Sequence, residues 1–160
     1  MVVVSIHVKG KLFGQARIWN NQRGSKAFAS YGVEMETFYV DRTYNHAARV
    51  VGFPKDPGSP WTLLYMAIKD ANRQLRALPH QNSEPCKIII ELWPKGFEEN
   101  SRVMGVMEIQ SVEQGEKDHG DFDIFMQTFH QGKIYERNAK LTDFDLSHTN
   151  VWVLVSEAIK

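Results

Sequence analysis

The residues able to do chemistry in this 160-residue chain fall into a few small groups. Asn20 and Asn21 close an apolar run and open the polar turn NNQRGSK. Tandem amides can hold a ligand there but offer no charge to a cation, and asparagine-rich turns also form simply because asparagine suits left-handed backbone. Glu34 and Glu36 stand two apart on a predicted strand, so both point the same way. Such a pair can bind metal or serve as acid and base, although an exposed strand face ordinarily produces the same spacing. Asp121 with Asp123, and Asp143 with Asp145, form two D-x-D pairs, each ahead of a predicted helical segment that it can cap. Arg17, Arg23, Lys26 and Lys95 are interleaved in sequence with Trp19 and Trp93. Phosphate contacts and base stacking use this combination on single strands, and scattered surface charge is the plainer alternative.

Other groups carry less. The six histidines show no zinc spacing, and none joins a cysteine or serine in a nucleophile signature. His148, ahead of the last predicted helix, is placed to line the same groove as Asn20. Cys86 is the single cysteine, so no intramolecular disulfide forms, and its place before KIII suggests a buried thiol. Trp61 and Trp152 sit at core-like helical positions.

Lys plus Arg and Asp plus Glu are equal at 19 each, which argues against a partner held mainly by charge and favours a protein partner over RNA or DNA. The start of the chain reaches His7 and Lys9 too soon for a signal peptide or a span, so an intracellular, cytoplasmic, non-membrane protein is expected. At 42% hydrophobic residues and this length, a single domain over 1–160 is expected.

These residues must be positioned by elements that periodicity suggests. MVVVSIHVKG, FGQARIWNN, FASYGVEMETFYV and AARVVGF read as strands, the third with Val33, Met35, Thr37 and Tyr39 on one face. SPWTLLYMAIKDANRQLRALP has the three-four spacing of an amphipathic helix, with Ser59 placed to cap it, Pro60 at its first turn and Pro79 closing it. CKIIIELW reads as a central strand buried on both faces among parallel neighbours. FEENSRVMGVMEIQSVEQ and DFDIFMQTFHQ read as helical, KIYERNAKL as a strand, and SHTNVWVLVSEAIK as a closing helix with Val151, Leu154, Val155 and Ala158 inward. No internal repeat is expected. The order implies an α/β fold, a mixed five-stranded or six-stranded sheet with helices on its faces.

This order, with ARIWNNQRGSKAFASYGVEM as first strand and turn, PWTLLYMAIKDANRQL as first helix and CKIIIELW as fourth strand, resembles the ribonuclease H-like fold over residues 15–160. Nucleases of that family hold two metal ions with clustered carboxylates. The positions the resemblance assigns to those acids hold Asn20 and Asn21 at the first strand, Thr62 in the first helix, Glu91 with Trp93 at the fourth strand, and Asn150 near the closing helix. With Glu91 the one acid left, the resemblance implies a pseudoenzyme with no metal or cofactor. Its expected role is a binding or scaffold module, working mainly through protein contacts in a nucleic-acid-handling or viral assembly. The alternatives are a divergent metal-dependent nuclease and a module holding RNA or DNA in the residual groove through Arg17, Arg23, Lys26, Lys95 and His148.

Overall fold

The computed structural model describes residues 2–20, 28–39, 41–54, 59–78, 87–94, 102–114, 119–145 and 151–160. Eight strands form one sheet: β1 (Val2–Val8), β2 (Lys11–Asn20), β3 (Phe28–Tyr39), β4 (Arg42–Pro54), β5 (Lys87–Pro94), β6 (Gly105–Gln114), β7 (His119–His130) and β8 (Lys133–Asp145). The helices are α1 (Pro60–Asp70), α2 (Asn72–Arg76) and α3 (Val151–Ile159). Strand order is β4-β3-β2-β1-β5-β6-β7-β8 and every pairing is antiparallel. Among the described residues no helix is long and apolar enough to cross a membrane.

This overturns the ribonuclease H-like architecture, since the sheet is neither mixed nor five- or six-stranded and its helices lie on one face. The segment 105–114, expected within a helix, is β6, whose Met107 and Ile109 alternate inward with Glu108 and Gln110 outward. DFDIFMQTFHQ belongs to β7, with Phe122, Ile124 and Met126 buried at period two. β5 has antiparallel neighbours on both sides and buries one face, Ile88, Ile90 and Leu92, while Lys87, Ile89, Glu91 and Trp93 look outward. The amphipathic helix is present, although it breaks at Ala71 into α1 and α2, and Ser59 stands at its N-cap without a side-chain bond. In α3, Val151, Leu154, Val155 and Ala158 are buried as expected. Cys86 and Pro79 lie outside the described residues.

The core forms where the inward stripes of all but the last strand meet the helices. Val4, Ile6, Ala16, Met35, Ile90, Leu92, Met107 and Ile109 are fully sealed beneath Leu64, Trp152 and Val155. Two halves of the same plan, four strands followed by a helical segment (α1 with α2 in the first half, α3 in the second), build this core, with β1 and β5 paired along their shared border. Features recur 91 residues apart. Trp61 in α1 donates its indole N–H to Thr128 Oγ1 at 2.9 Å, and Trp152 in α3 donates to Thr37 Oγ1 at 2.8 Å. Each indole needs a strand without a side chain beneath it. A Cβ on Gly105 would stand 2.8 Å from Trp61 Cζ2, and one on Gly14 would stand 2.7 Å from Trp152 Cζ2.

The correspondence extends to irregularities. The β3–β4 ladder slips between Ala29 and Tyr31, and the β7–β8 ladder slips between Gly120 and Phe122. At each slip one residue of the outer strand has positive φ, Gly52 (69°) and Asp143 (55°). Beside each, an edge-on aromatic pair forms: Tyr31 with Phe53 at 5.7 Å, and Phe122 with Phe144 at 6.2 Å. A repeat was therefore present in the sequence after all. WTLLYMAIK at 61–69 and WVLVSEAIK at 152–160 share Trp, Leu, Ala, Ile and Lys in register.

The helices cross between halves. α1 follows the first half but sets Trp61 over β6 and β7, and α3 follows the second but sets Trp152 over β2 and β3. Both lie on the buried face, so the opposite face of the sheet carries no helix among the described residues.

Candidate binding surface

The alternation that fills the core turns the other set of side chains outward onto this uncovered face. Across its middle run Glu36, Gln15, Ser5, Glu91, Val106, Gln127 and Glu136, each the Cα partner of the next. The row is polar and acidic. Arg17 reaches Glu36 at 3.7 Å with both side chains substantially exposed, and Lys87 contacts Glu108 on the neighbouring side of the row. Exposed pairs of this kind contribute little stability.

Toward the sheet end where β2, β5 and β7 finish, the composition changes. Trp19 pairs with Gly32, and Gly32 pairs with Arg49 on β4. A Cβ at Gly32 would stand 2.6 Å from Trp19 Cζ2 and 3.0 Å from its Nε1, so the indole lies across the backbone of β3. Glycine is what permits that close approach. On the other side of β1 stands Trp93, two strands or about 10 Å from β2 at ordinary strand spacing. Beyond it a cavity of about 680 Å³ opens between Trp93, Phe129 and Ile134, with Arg102, His130 and Lys133 around it. Among the described residues that line this cavity none is a carboxylate. Each tryptophan is half-buried, offering part of its ring to solvent on a rigid strand.

The structure brings together only some of the residues singled out in the sequence. Arg17, Trp19 and Trp93 share this end of the open face. Asn20 is exposed at the end of β2. Thr62 is exposed on α1, on the helix side of the sheet, whereas Glu91 looks out from the opposite side, so they cannot share a metal. Of the positions that the resemblance groups into one site, Thr62 and Glu91 thus lie on opposite sides of the sheet. Asn21, Arg23, Lys26, Lys95, His148 and Asn150 lie outside the described residues. Among those described, no three His, Cys, Asp or Glu side chains are grouped to hold a metal ion. Glu34 and Glu36 sit on the uncovered face of β3. The D-x-D pairs lie within strands, Asp121 and Asp123 in β7 and not ahead of a helix, Asp143 and Asp145 in β8, the strand before α3. Asp121 Oδ1 instead accepts the backbone N–H of Asp143 at 2.8 Å, tying down the residue with positive φ at the β8 slip.

Arg49, Arg102, His130, Lys133, Phe129 and Gly32 escaped the sequence reading. Treating Gly32 as the partner of an aromatic side chain, and 119–130 as a strand, would have found half of them. In comparisons with known proteins, no family model, curated protein or solved structure matches this chain.

Proposed function

We propose that this protein is a binding module that takes single-stranded nucleic acid along the aromatic and basic end of its uncovered sheet face. The observation that carries the reading is the Trp19 indole lying over Gly32 at the end of the face where Trp93 stands level with Arg17, beside a cavity at Phe129 whose described lining holds Arg102, His130 and Lys133. Bases of any sequence stack on such rings, each stacked base contributing about 1–3 kcal/mol. Arg17, Arg49, Arg102 and Lys133 flank the rings and supply phosphate contacts; Glu34 stands opposite Arg17, whose guanidinium exchanges its exposed contact with Glu36 for phosphate. The acidic middle row, from Glu36 to Glu136, borders the strip and confines a polyanion to it. This local separation of charge is what reconciles a polyanion ligand with a neutral chain.

The test is fluorescence anisotropy with a labelled single-stranded oligothymidine at low salt. Binding should weaken as salt rises, by roughly 0.7 in log–log slope per phosphate neutralised. Trp19→Ala and Trp93→Ala should each weaken it at least about fivefold, the lower bound of one lost stacking contact. Binding that ignores both substitutions would contradict the reading. The neutral charge and the acidic row favour a second reading, a protein partner on the same face. Its signature is an indifferent oligonucleotide titration.

A further inference from the structure

The two outer strands of the sheet are finished differently. On β4, the Gln74 side chain accepts from the Ala47 N–H at 3.4 Å and donates to the Ala47 carbonyl at 3.1 Å, while Asp70 Oδ2 accepts the Arg49 N–H at 2.8 Å. The helical segment thus satisfies the outward backbone groups as a neighbouring strand would, and blunts that edge. On β8, the residues corresponding to Ala47 and Arg49 are Asn138 and Lys140. Between Lys133 and Thr142 no side chain or strand among the described residues is bonded to the outward backbone of β8. That stretch is long, regular up to Leu141 and well exposed, with Ile134 at 60% and Tyr135 at 55%.

We propose that β8 pairs antiparallel with β8 of a second copy of this chain, joining two eight-stranded sheets edge to edge. The register follows from charge. Placing Asn138 opposite Asn138 sets Glu136 of each copy opposite Lys140 of the other, on the same face of the sheet. Opposite charges directly across an antiparallel pair stabilise it, and like charges oppose it. The same register sets Tyr135 opposite Leu141 on the other face. It also aligns the residues whose backbone groups point outward, since the 91-residue correspondence puts Asn138 in the role of Ala47 and Lys140 in that of Arg49. Gln127 Nε2 donates to Glu136 Oε1 at 3.0 Å, holding that carboxylate on the uncovered face. Arg137 is turned away, donating to the Ala158 and Ile159 carbonyls at the end of α3 at 2.7 and 3.2 Å, so it leaves the edge clear. Two-fold pairing closes on itself, giving a dimer and no filament.

Sedimentation of the whole chain across a concentration series tests this. The expected result is a reversible species of twice the 18.4 kDa chain mass. Glu136→Lys alone and Lys140→Glu alone should each weaken dimerisation at least about tenfold, and the double exchange should restore it, with circular dichroism confirming that every variant folds. Asn138→Cys should cross-link to a dimer with a short bismaleimide, whereas Asn45→Cys on the other edge, which carries the same Cys86, should not. A single-chain mass at every concentration overturns the proposal. So does a dimer indifferent to the single reversals, a double exchange that restores nothing, or equal cross-linking from both edges.

Discussion

Trp19 and Gly32 act as one unit. The ring lies flat because β3 presents no Cβ beneath it, so Gly32→Val should lift the indole and reduce oligonucleotide binding as Trp19→Ala does, while leaving the buried face untouched. Comparison of the two variants by anisotropy and by tryptophan emission checks it. On the buried face, Trp152 and Thr37 are both fully enclosed, and the indole N–H is the partner of the threonine hydroxyl. Trp152→Phe strands that hydroxyl and should cost about 1–3 kcal/mol in denaturant unfolding, with Thr37→Val in the same background recovering part of the loss. His46 on β4 is a third such position. Its Nε2 is enclosed without a hydrogen-bond partner among the described residues, and burial lowers its pKa below the usual histidine value, with the Gln74 side chain opposing that shift. The unfolded chain therefore takes up a proton near pH 6.5 that the folded chain refuses. Stability should fall as pH drops from about 6.5 through the lowered folded value, and His46→Gln should flatten that slope in melts across pH 5–8. At this scale three residues that the sequence singled out, Arg17, Trp19 and Trp93, share one end of the helix-free face. The sequence also suggested a set of replaced catalytic acids of which Thr62 and Glu91 fall on opposite sides of the sheet, because that set depended on an architecture the chain does not adopt.

Among the elements, the strands before residue 54 and the helices at both Trp-x-Leu segments were legible, because their apolar spacing admits one period. β6 and β7 were not. VMGVMEIQ and FDIFMQTF place large apolar residues at spacings of two, three and four at once, and such short runs do not decide between helix and strand by periodicity. Tertiary demand decides it, since Trp61 needs the bare backbone of Gly105 and the Thr128 hydroxyl, an arrangement that two adjacent strands supply. The same duplication explains the two slips in the outer ladders. Gly52 adopts positive φ without a side-chain penalty, whereas Asp143 adopts it with the help of Asp121. Gly52→Ala should therefore destabilise by about 1–2 kcal/mol, while Asp143→Gly should be neutral or stabilising, as read by chemical denaturation. The cap on β4 belongs here too. Removing Asp70 and Gln74 together, as Asp70→Ala with Gln74→Ala, should leave both edges open, and light scattering should show concentration-dependent association beyond that of the parent.

Over the whole molecule, the halves are halves in pattern only. β1 and β5 share one ladder that buries Val4, Ile6, Ile90 and Leu92 completely, and each helix packs its tryptophan on the strands of the other half. Neither half keeps its core without its counterpart, so thermal unfolding should be a single transition reported alike by far-ultraviolet circular dichroism and tryptophan fluorescence. Among the described residues every helix lies on one side, and the opposite face carries an acidic band across the middle and an aromatic, basic strip at one end. On the proposed function, this strip holds a single strand. The most direct test is anisotropy titration of labelled oligothymidine with the parent and with the Trp19→Ala, Trp93→Ala double variant, repeated at two salt concentrations. Binding should weaken with salt and fall at least about 25-fold in the double variant, the product of two fivefold losses, while its melting curve stays near that of the parent. An oligonucleotide that fails to bind the folded parent, or binds parent and double variant alike, would contradict it.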